Sequence, residues 1–231
     1  MRGLCSNGVK AVALELIPQF ERARGIKVDI LWGSTNMLLG EINKGATGDL
    51  AILTDEVIDD LIAEGKIVAG SRVDLARSAI GIAVRQGAPK PDIGSAEAFR
   101  QALLSARAIS YSRTGISGVY FPTVLDRLGI AEAVKSKIVI PAPGMVVGEL
   151  VARGEADIGV QQISELLPVP GIEVVGPLPA ALQKVTVFSA GIFADAREAE
   201  VAQALVEALT SQASRAVYVC KGMEPIDRSP H

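Results

Sequence analysis

Three times along this chain a short apolar run breaks into a polar or Gly/Ser-rich turn and then into a helical pattern. Met1–Cys5 leads through Ser6-Asn7-Gly8 into Val9–Arg24. Lys27–Trp32 leads through Gly33-Ser34-Thr35-Asn36 into Met37–Lys44. Ala108–Tyr111 leads through Ser112-Arg113-Thr114-Gly115-Ile116-Ser117-Gly118 into Val119–Leu128. This strand–turn–helix recurrence points to layered α/β packing. It also sets hydroxyls and backbone N–H groups at helix starts. There the first-turn amides lack an intrahelical partner and the dipole is positive. Several such starts facing one crevice make an anion site that needs no metal and no charged cage.

The alternation continues. Asp49–Leu53 reads as a strand after the turn Gly45-Ala46-Thr47-Gly48, and Thr54-Asp55 caps a helix over Glu56–Glu64. Leu75–Arg85 reads as one long strand, and Ser95 opens a helix running to about Ser105. Ile138–Ile140 is a strand ended by Pro141-Ala142-Pro143-Gly144, and Met145–Arg153 is a helix stopped by Gly154. Asp157–Gln161, Ile172–Val175 and Val185–Phe193 read as strands, Arg197–Leu209 and Gln212–Cys220 as helices. Regular alternation predicts mostly parallel sheets covered by helices. No fixed-period repeat or low-complexity linker appears, so two lobes would be joined through strands. Leu75–Arg85 and Val185–Phe193 are the natural crossings. The predicted lobes are residues 1–78 with 190–231, and residues 79–189. In open α/β sheets ligands sit beyond the carboxyl ends of strands, where these polar turns lie.

With 231 residues, 49% of them hydrophobic, the chain can bury a full core. Aromatic residues are only 4%, which favours α/β layers over an all-β sandwich. The net charge is −3 with acids and bases interspersed, so nothing suggests a nucleic-acid partner. No apolar run reaches the roughly 18–20 residues that span a bilayer, so no membrane insertion is expected. No charged segment followed by an apolar one opens the chain either. The chain reads as a soluble monomer, periplasmic if an export signal has been removed upstream and otherwise cytoplasmic.

Cys5 and Cys220 make no metal pattern and read as two buried thiols, with their pairing left open. The one histidine, His231, is terminal, which leaves little room for a His-based triad or metal site. Gly115-Ile116-Ser117-Gly118 lacks the spacing of a nucleophile elbow, and no phosphate-loop lysine pattern occurs. Asp55, Glu56, Asp59 and Asp60 form an acidic helix start that complements the dipole. No cofactor is called for.

The order of these segments resembles the molybdate-binding-protein family, the periplasmic substrate-binding components of ABC importers. The matching stretches are Ser6–Glu56, Ser71–Lys90, Gly115–Val139 and Val147–Leu166, nearly the whole chain. The strongest marker runs from Gln19–Val28 to Gly48–Asp55, joining helix, strand, polar loop, helix and strand at family spacing. The resemblance implies a two-lobed type II periplasmic-binding-protein fold with a ligand cleft and a hinge. It also implies an ABC transporter permease as partner and a small-molecule anion as ligand, an oxyanion such as molybdate or an organic carboxylate. The fold resembles an aconitate isomerase group as well, which gives the alternative reading of a cofactor-free isomerase of a small tricarboxylic acid.

By this resemblance five places hold the ligand. They fall on Ser6-Asn7-Gly8, on Ser34-Thr35-Asn36, on Ser117 with Gly118, on the helix start Gly144-Met145, and on Gln162. Three features depart from the family. An amide, Gln162, stands where the family has a tyrosine. Asn7-Gly8 displaces or replaces the first serine. Arg113 enters the third loop, where a guanidinium suits bidentate carboxylate binding. Together they shift the expectation from molybdate toward a carboxylate. Plainer readings stand beside these: Ser6-Asn7-Gly8 and Gln162 as helix caps, Arg113 as an exposed loop arginine, Met145 as packing with only its backbone N–H relevant.

Overall fold

The computed structural model describes residues 1–142 and 145–227, and its packing divides into two units. One is Met1–Ser78 together with the chain from Thr186 onward; the other is Ala79–Val185.

The first unit opens with three strands that each run directly into a helix. They are β1 (Arg2–Ser6) with α1 (Asn7–Arg24), β2 (Asp29–Gly33) with α2 (Thr35–Asn43), and β3 (Leu50–Thr54) with α3 (Asp55–Ala63). β4 (Val73–Ser78) follows. The second unit holds β5 (Ile80–Arg85), α4 (Ala96–Ser105), β6 (Ile109–Tyr111), α5 (Ile116–Arg127), α6 (Ala131–Val134) and β7 (Ile138–Val139). It continues with α7 (Val147–Ala152), β8 (Ile158–Gln162), α8 (Ile163–Leu166) and β9 (Ile172–Pro177). The chain then returns to the first unit with β10 (Thr186–Ile192), α9 (Ala199–Leu209), α10 (Arg215–Cys220) and β11 (Met223–Pro225).

The six-stranded sheet runs β11-β4-β10-β3-β1-β2 and the five-stranded sheet β7-β6-β8-β5-β9. Both are mixed, not mostly parallel. β1 is parallel to β2 and β3, but β10 lies antiparallel between β3 and β4. β6 is parallel to β7 and β8, whereas β5 is antiparallel to β8 and β9. Alternation of element types along a chain does not fix which strands become neighbours, and here late strands insert beside early ones.

The long strand expected over Leu75–Arg85 is two strands. Ser78 pairs with Thr186 in one sheet, and Ile80 pairs with Gln162 in the other. No Gly or Pro stands between Leu75 and Ile80, so only long-range pairing marks the break. The whole of β10 pairs in the first sheet, and the chain re-enters that unit at Thr186 rather than near 190.

The core of the first unit has two layers. Val9, Val12, Ile17 and Phe20 of α1 pack with Ile52, Phe188, Leu205 and Leu209 on one face, and Leu38, Leu53, Ile58 and Leu61 fill the other. In the second unit Ile82, Phe99, Leu103, Phe121 and Val160 form the main layer, with a smaller one around Leu150, Val151 and Ala156. Each such fully buried side chain contributes about 1.5–3 kcal/mol, so these layers fix the strand ends from which the polar turns emerge.

Candidate functional site

In the first unit, parallel pairing brings the ends of β1 and β2 level. Ser6 is in register with Gly33, so the turns that follow lie side by side. Ser6 caps α1: its Oγ accepts from the Gly8 amide at 3.4 Å. It also accepts from the Thr35 hydroxyl at 3.2 Å. Ser34 caps α2 through the Met37 amide at 3.2 Å. Of the expected run Ser34-Thr35-Asn36, the first is therefore the cap, the second is buried against Ser6, and Asn36 is exposed. Gly8 is buried for a steric reason, since a Cβ there would lie 2.1 Å from the Phe188 ring. Asn7 is half-buried at the first position of α1.

In the second unit, β6, β7 and β8 run parallel, so their carboxyl ends share one edge. Beyond β6 the Ser112 hydroxyl accepts from the Gly115 amide at 3.1 Å and the Thr114 amide at 3.4 Å. The helix expected from Val119 begins three positions earlier, at Ile116, so Ser117 and Gly118 are helical rather than turn residues. The reason is a close approach: a Cβ on Gly118 would lie 1.5 Å from the Ser112 carbonyl oxygen. A glycine read as a turn signal is here a packing glycine that lets the loop fold over the helix start.

Ser117 is fully buried, and its hydroxyl has no hydrogen-bond partner among the described residues. Buried polar atoms in this condition are uncommon and call for an explanation. Arg113 is exposed, and among the described residues no ion pair or hydrogen bond engages it. Gln162 is buried at the end of β8 and precedes α8 without a side-chain cap.

The fourth place needs correction. Gly144 lies outside the described residues, as does His231. The helix expected from Met145 begins at Val147, and the Met145 amide donates to the Ala142 carbonyl at 3.0 Å. That N–H closes a turn instead of pointing free at a helix start.

Electrostatics separates the helix starts. Among described helices of eight or more residues, α1, α2 and α5 carry no acid in the first turn. α3, α4 and α9 do: Asp55 and Glu56, Glu97, and Glu200. The latter neutralise their own dipoles. The acid-free starts keep theirs, and they are the three that follow β1, β2 and β6.

Sequence patterning does not single out Gln161 and Glu165. Gln161 is buried and its Oε1 has no partner among the described residues, while its side chain hydrogen-bonds the Glu165 carboxylate. Burial pushes the Glu165 carboxyl up to about 7, against the opposing pull of that hydrogen bond. The available signal was Gln161-Gln162, two amides ending an apolar strand, one of which must face each side of the sheet.

A cavity of about 890 Å³ opens at the opposite edge of this sheet, around Arg85, Arg107, Arg153, Asp157 and Ile158. It contains none of the residues above. Two of its cations are already paired, Arg107 with Asp157 at 2.6 Å and Lys90 with Glu173 at 2.9 Å. Both cysteines are free, Cys5 buried and Cys220 exposed, so the reading of two buried thiols holds only for Cys5.

The bacterial extracellular solute-binding protein family has a model that matches residues 2–224. The chain belongs to this family. This solute-binding protein is 37% identical to an aconitate isomerase of Pseudomonas sp, over 98% of this chain and 88% of that protein. It is 28% identical to the molybdate-binding protein ModA of Azotobacter vinelandii, over 66% of this chain and 60% of that one. Among solved structures, the periplasmic molybdate-binding protein of Azotobacter vinelandii superposes with a TM-score of 0.76 at 20% identity, covering 99% of this chain and all 100% of that one. The substrate-binding domain of a molybdenum ABC transporter from Clostridium difficile gives 0.74 at 17% identity, covering 98% and 99%. These likenesses give the solute-binding protein the two-lobed type II periplasmic-binding-protein fold. Among the described residues no helix is long and apolar enough to cross a membrane.

Proposed function

We propose that this solute-binding protein binds a small tricarboxylate and interconverts its geometric isomers, as an aconitate isomerase. One observation carries the reading: the 37% identity to an aconitate isomerase extends over 98% of the chain. The likeness to ModA is lower and reaches 66%. The site chemistry supports it. Acid-free starts of α1, α2 and α5 each suit a carboxylate group. Ser6, Asn7, Gly8, Ser34, Thr35 and Asn36 of the first unit supply donors in this reading. Ser117, Gly118, Gln162 and the unpaired Arg113 supply those of the second, and the guanidinium gives a planar fork for a carboxylate.

A second reading keeps the same anion but not the reaction: capture for import through an ABC transporter, with the protein outside the cytoplasm. The family's description as extracellular solute-binding favours it. The two separate in one experiment. Ligand-free protein is titrated calorimetrically with molybdate, tungstate, sulfate, cis-aconitate and trans-aconitate, and each mixture is followed by proton NMR. Binding of an aconitate with conversion to its isomer supports catalysis. Binding with the acid recovered unchanged after long incubation supports import. Binding of molybdate alone would overturn the carboxylate reading.

A further inference from the structure

We infer that Glu165 carries the proton during this isomerisation: its carboxylate takes a proton from the methylene carbon of the bound tricarboxylate and returns one to the far carbon of the double bond, with Gln161 as its positioning residue. The inference rests on the isomerase reading above.

The chemistry needs such a group. A carbon–carbon double bond does not turn freely, so a geometric isomer must form by moving the bond. One C–H bond of the methylene breaks, and its electron pair becomes the new double bond. The old π pair shifts to the far carbon, which takes the proton from the protonated base. The carboxylates flanking these carbons delocalise the intermediate charge. Nothing is oxidised or reduced, and one proton leaves and one returns. For a tricarboxylate with the same connectivity on both sides of its central carbon, the shifted product is the same acid with new geometry.

Position singles out Glu165. It lies in α8, the turn of helix directly beyond the carboxyl end of β8, on the edge shared by β6 and β7 and followed there by the α5 start. It is half-buried. Of the other acids, Asp157 precedes β8 at the opposite edge and is bound to Arg107, Glu173 holds Lys90, and Glu149 in the first turn of α7 faces Arg153 at 3.9 Å.

The support beneath Glu165 is unusual. Gln161 lies on the face of β8 that packs on α7, the face on which a Cβ at Gly159 would touch Val147 and Val151. Ser110 of β6 pairs beside Gly159 on that same face. Ser110 Oγ and Gln161 Oε1 are both buried without partners among the described residues. An unsatisfied buried polar atom costs about 1–3 kcal/mol, yet two sit here in an otherwise apolar layer. Gln161 spends its amide N–H on the Glu165 carboxylate, which fixes that group's orientation. A carboxyl held near neutrality by desolvation can both accept and donate a proton at physiological pH.

Wild-type, Glu165→Gln and Glu165→Asp proteins are given cis- or trans-aconitate in D2O and followed by NMR, with affinities from calorimetry. Wild type is expected to interconvert the isomers and to introduce deuterium at the methylene carbon. Glu165→Gln is expected to bind within about threefold of wild type while kcat falls about 10²–10⁴-fold. Glu165→Asp, which keeps the charge but shortens the reach, is expected to lose about tenfold in kcat with affinity unchanged. Turnover of Glu165→Gln within about threefold of wild type overturns the inference and leaves the isomerase reading standing. If Glu165→Gln does not fold, an unchanged kcat in Glu165→Asp overturns it. A wild type that neither interconverts nor exchanges overturns the isomerase reading itself, and the role of Glu165 with it.

Discussion

The Thr35 hydroxyl donates to Ser6 Oγ at 3.2 Å, joining the first residue of one helix to the cap of another. The same Oγ accepts from the Gly8 amide, so one serine organises two helix starts. Ser6→Ala is expected to lower stability by about 0.5–2 kcal/mol, the usual cost of losing an N-cap. It should also weaken anion binding. Thr35→Val keeps the shape and the cap, so it should affect binding more than stability. Urea titrations beside calorimetry check both.

Asp49 gives the pH dependence of stability its clearest single source. Burial opposes its ionisation, but amides of Arg2, Glu198 and Arg197 donate to its carboxylate at 2.7, 2.9 and 2.9 Å and hold its pKa below the usual range. A depressed folded pKa contributes stability that is fully present above the unfolded pKa and is lost as pH falls through the folded value. Asp49→Asn is expected to cost about 1–3 kcal/mol at neutral pH. Its penalty should shrink as pH falls through the lowered folded pKa. Denaturant curves at several pH values decide it; a penalty that does not change with pH would sink the assignment.

The starts of α1, α2 and α4 are legible because capping is local. Ser6, Ser34 and Ser95 announce themselves within a few residues, and each caps the helix it precedes. The break at Ala79 was not legible, because its cause is the pairing of Ser78 with Thr186 and of Ile80 with Gln162, far along the chain. The α5 start was misjudged for a related reason. Gly118 was read by its turn propensity, while its presence answers to the carbonyl of Ser112. Glu165 escaped entirely: a glutamate in a polar-looking stretch becomes a desolvated carboxyl only when tertiary packing covers it.

The two thiols should differ sharply. Cys5 is fully buried, and burial pushes its thiol far up, with Lys10 opposing only weakly, whereas Cys220 is exposed. A thiolate is the reactive form, so a thiol reagent on folded protein is expected to label Cys220 alone. In denaturant both should react. Mass spectrometry after labelling distinguishes the sites, and rapid labelling of Cys5 in folded protein would count against this core.

Gly118→Ala tests the loop over α5. A Cβ at 1.5 Å from the Ser112 carbonyl cannot be accommodated without moving the loop or the helix. Destabilisation of about 1–3 kcal/mol is expected, as for other overpacked sites. Binding should suffer beyond that, because Ser117 and the first amides of α5 move with the helix. Thermal melts and calorimetry on the same preparation separate the two effects.

Arg113 separates a carboxylate ligand from a compact oxyanion. It is exposed, and among the described residues nothing pairs with it, so the fold does not depend on it. Arg113→Ala should therefore leave the melting temperature unchanged. If the guanidinium grips a carboxylate, removing its charged hydrogen bonds should weaken aconitate binding about 10- to 100-fold. Arg113→Lys should recover only part of this, since a single ammonium cannot reproduce the bidentate fork. An oxyanion held by neutral hydroxyls and helix amides would not sense the change. Aconitate affinity that survives Arg113→Ala intact removes Arg113 from the site and leaves specificity to Gln162 and Ser117.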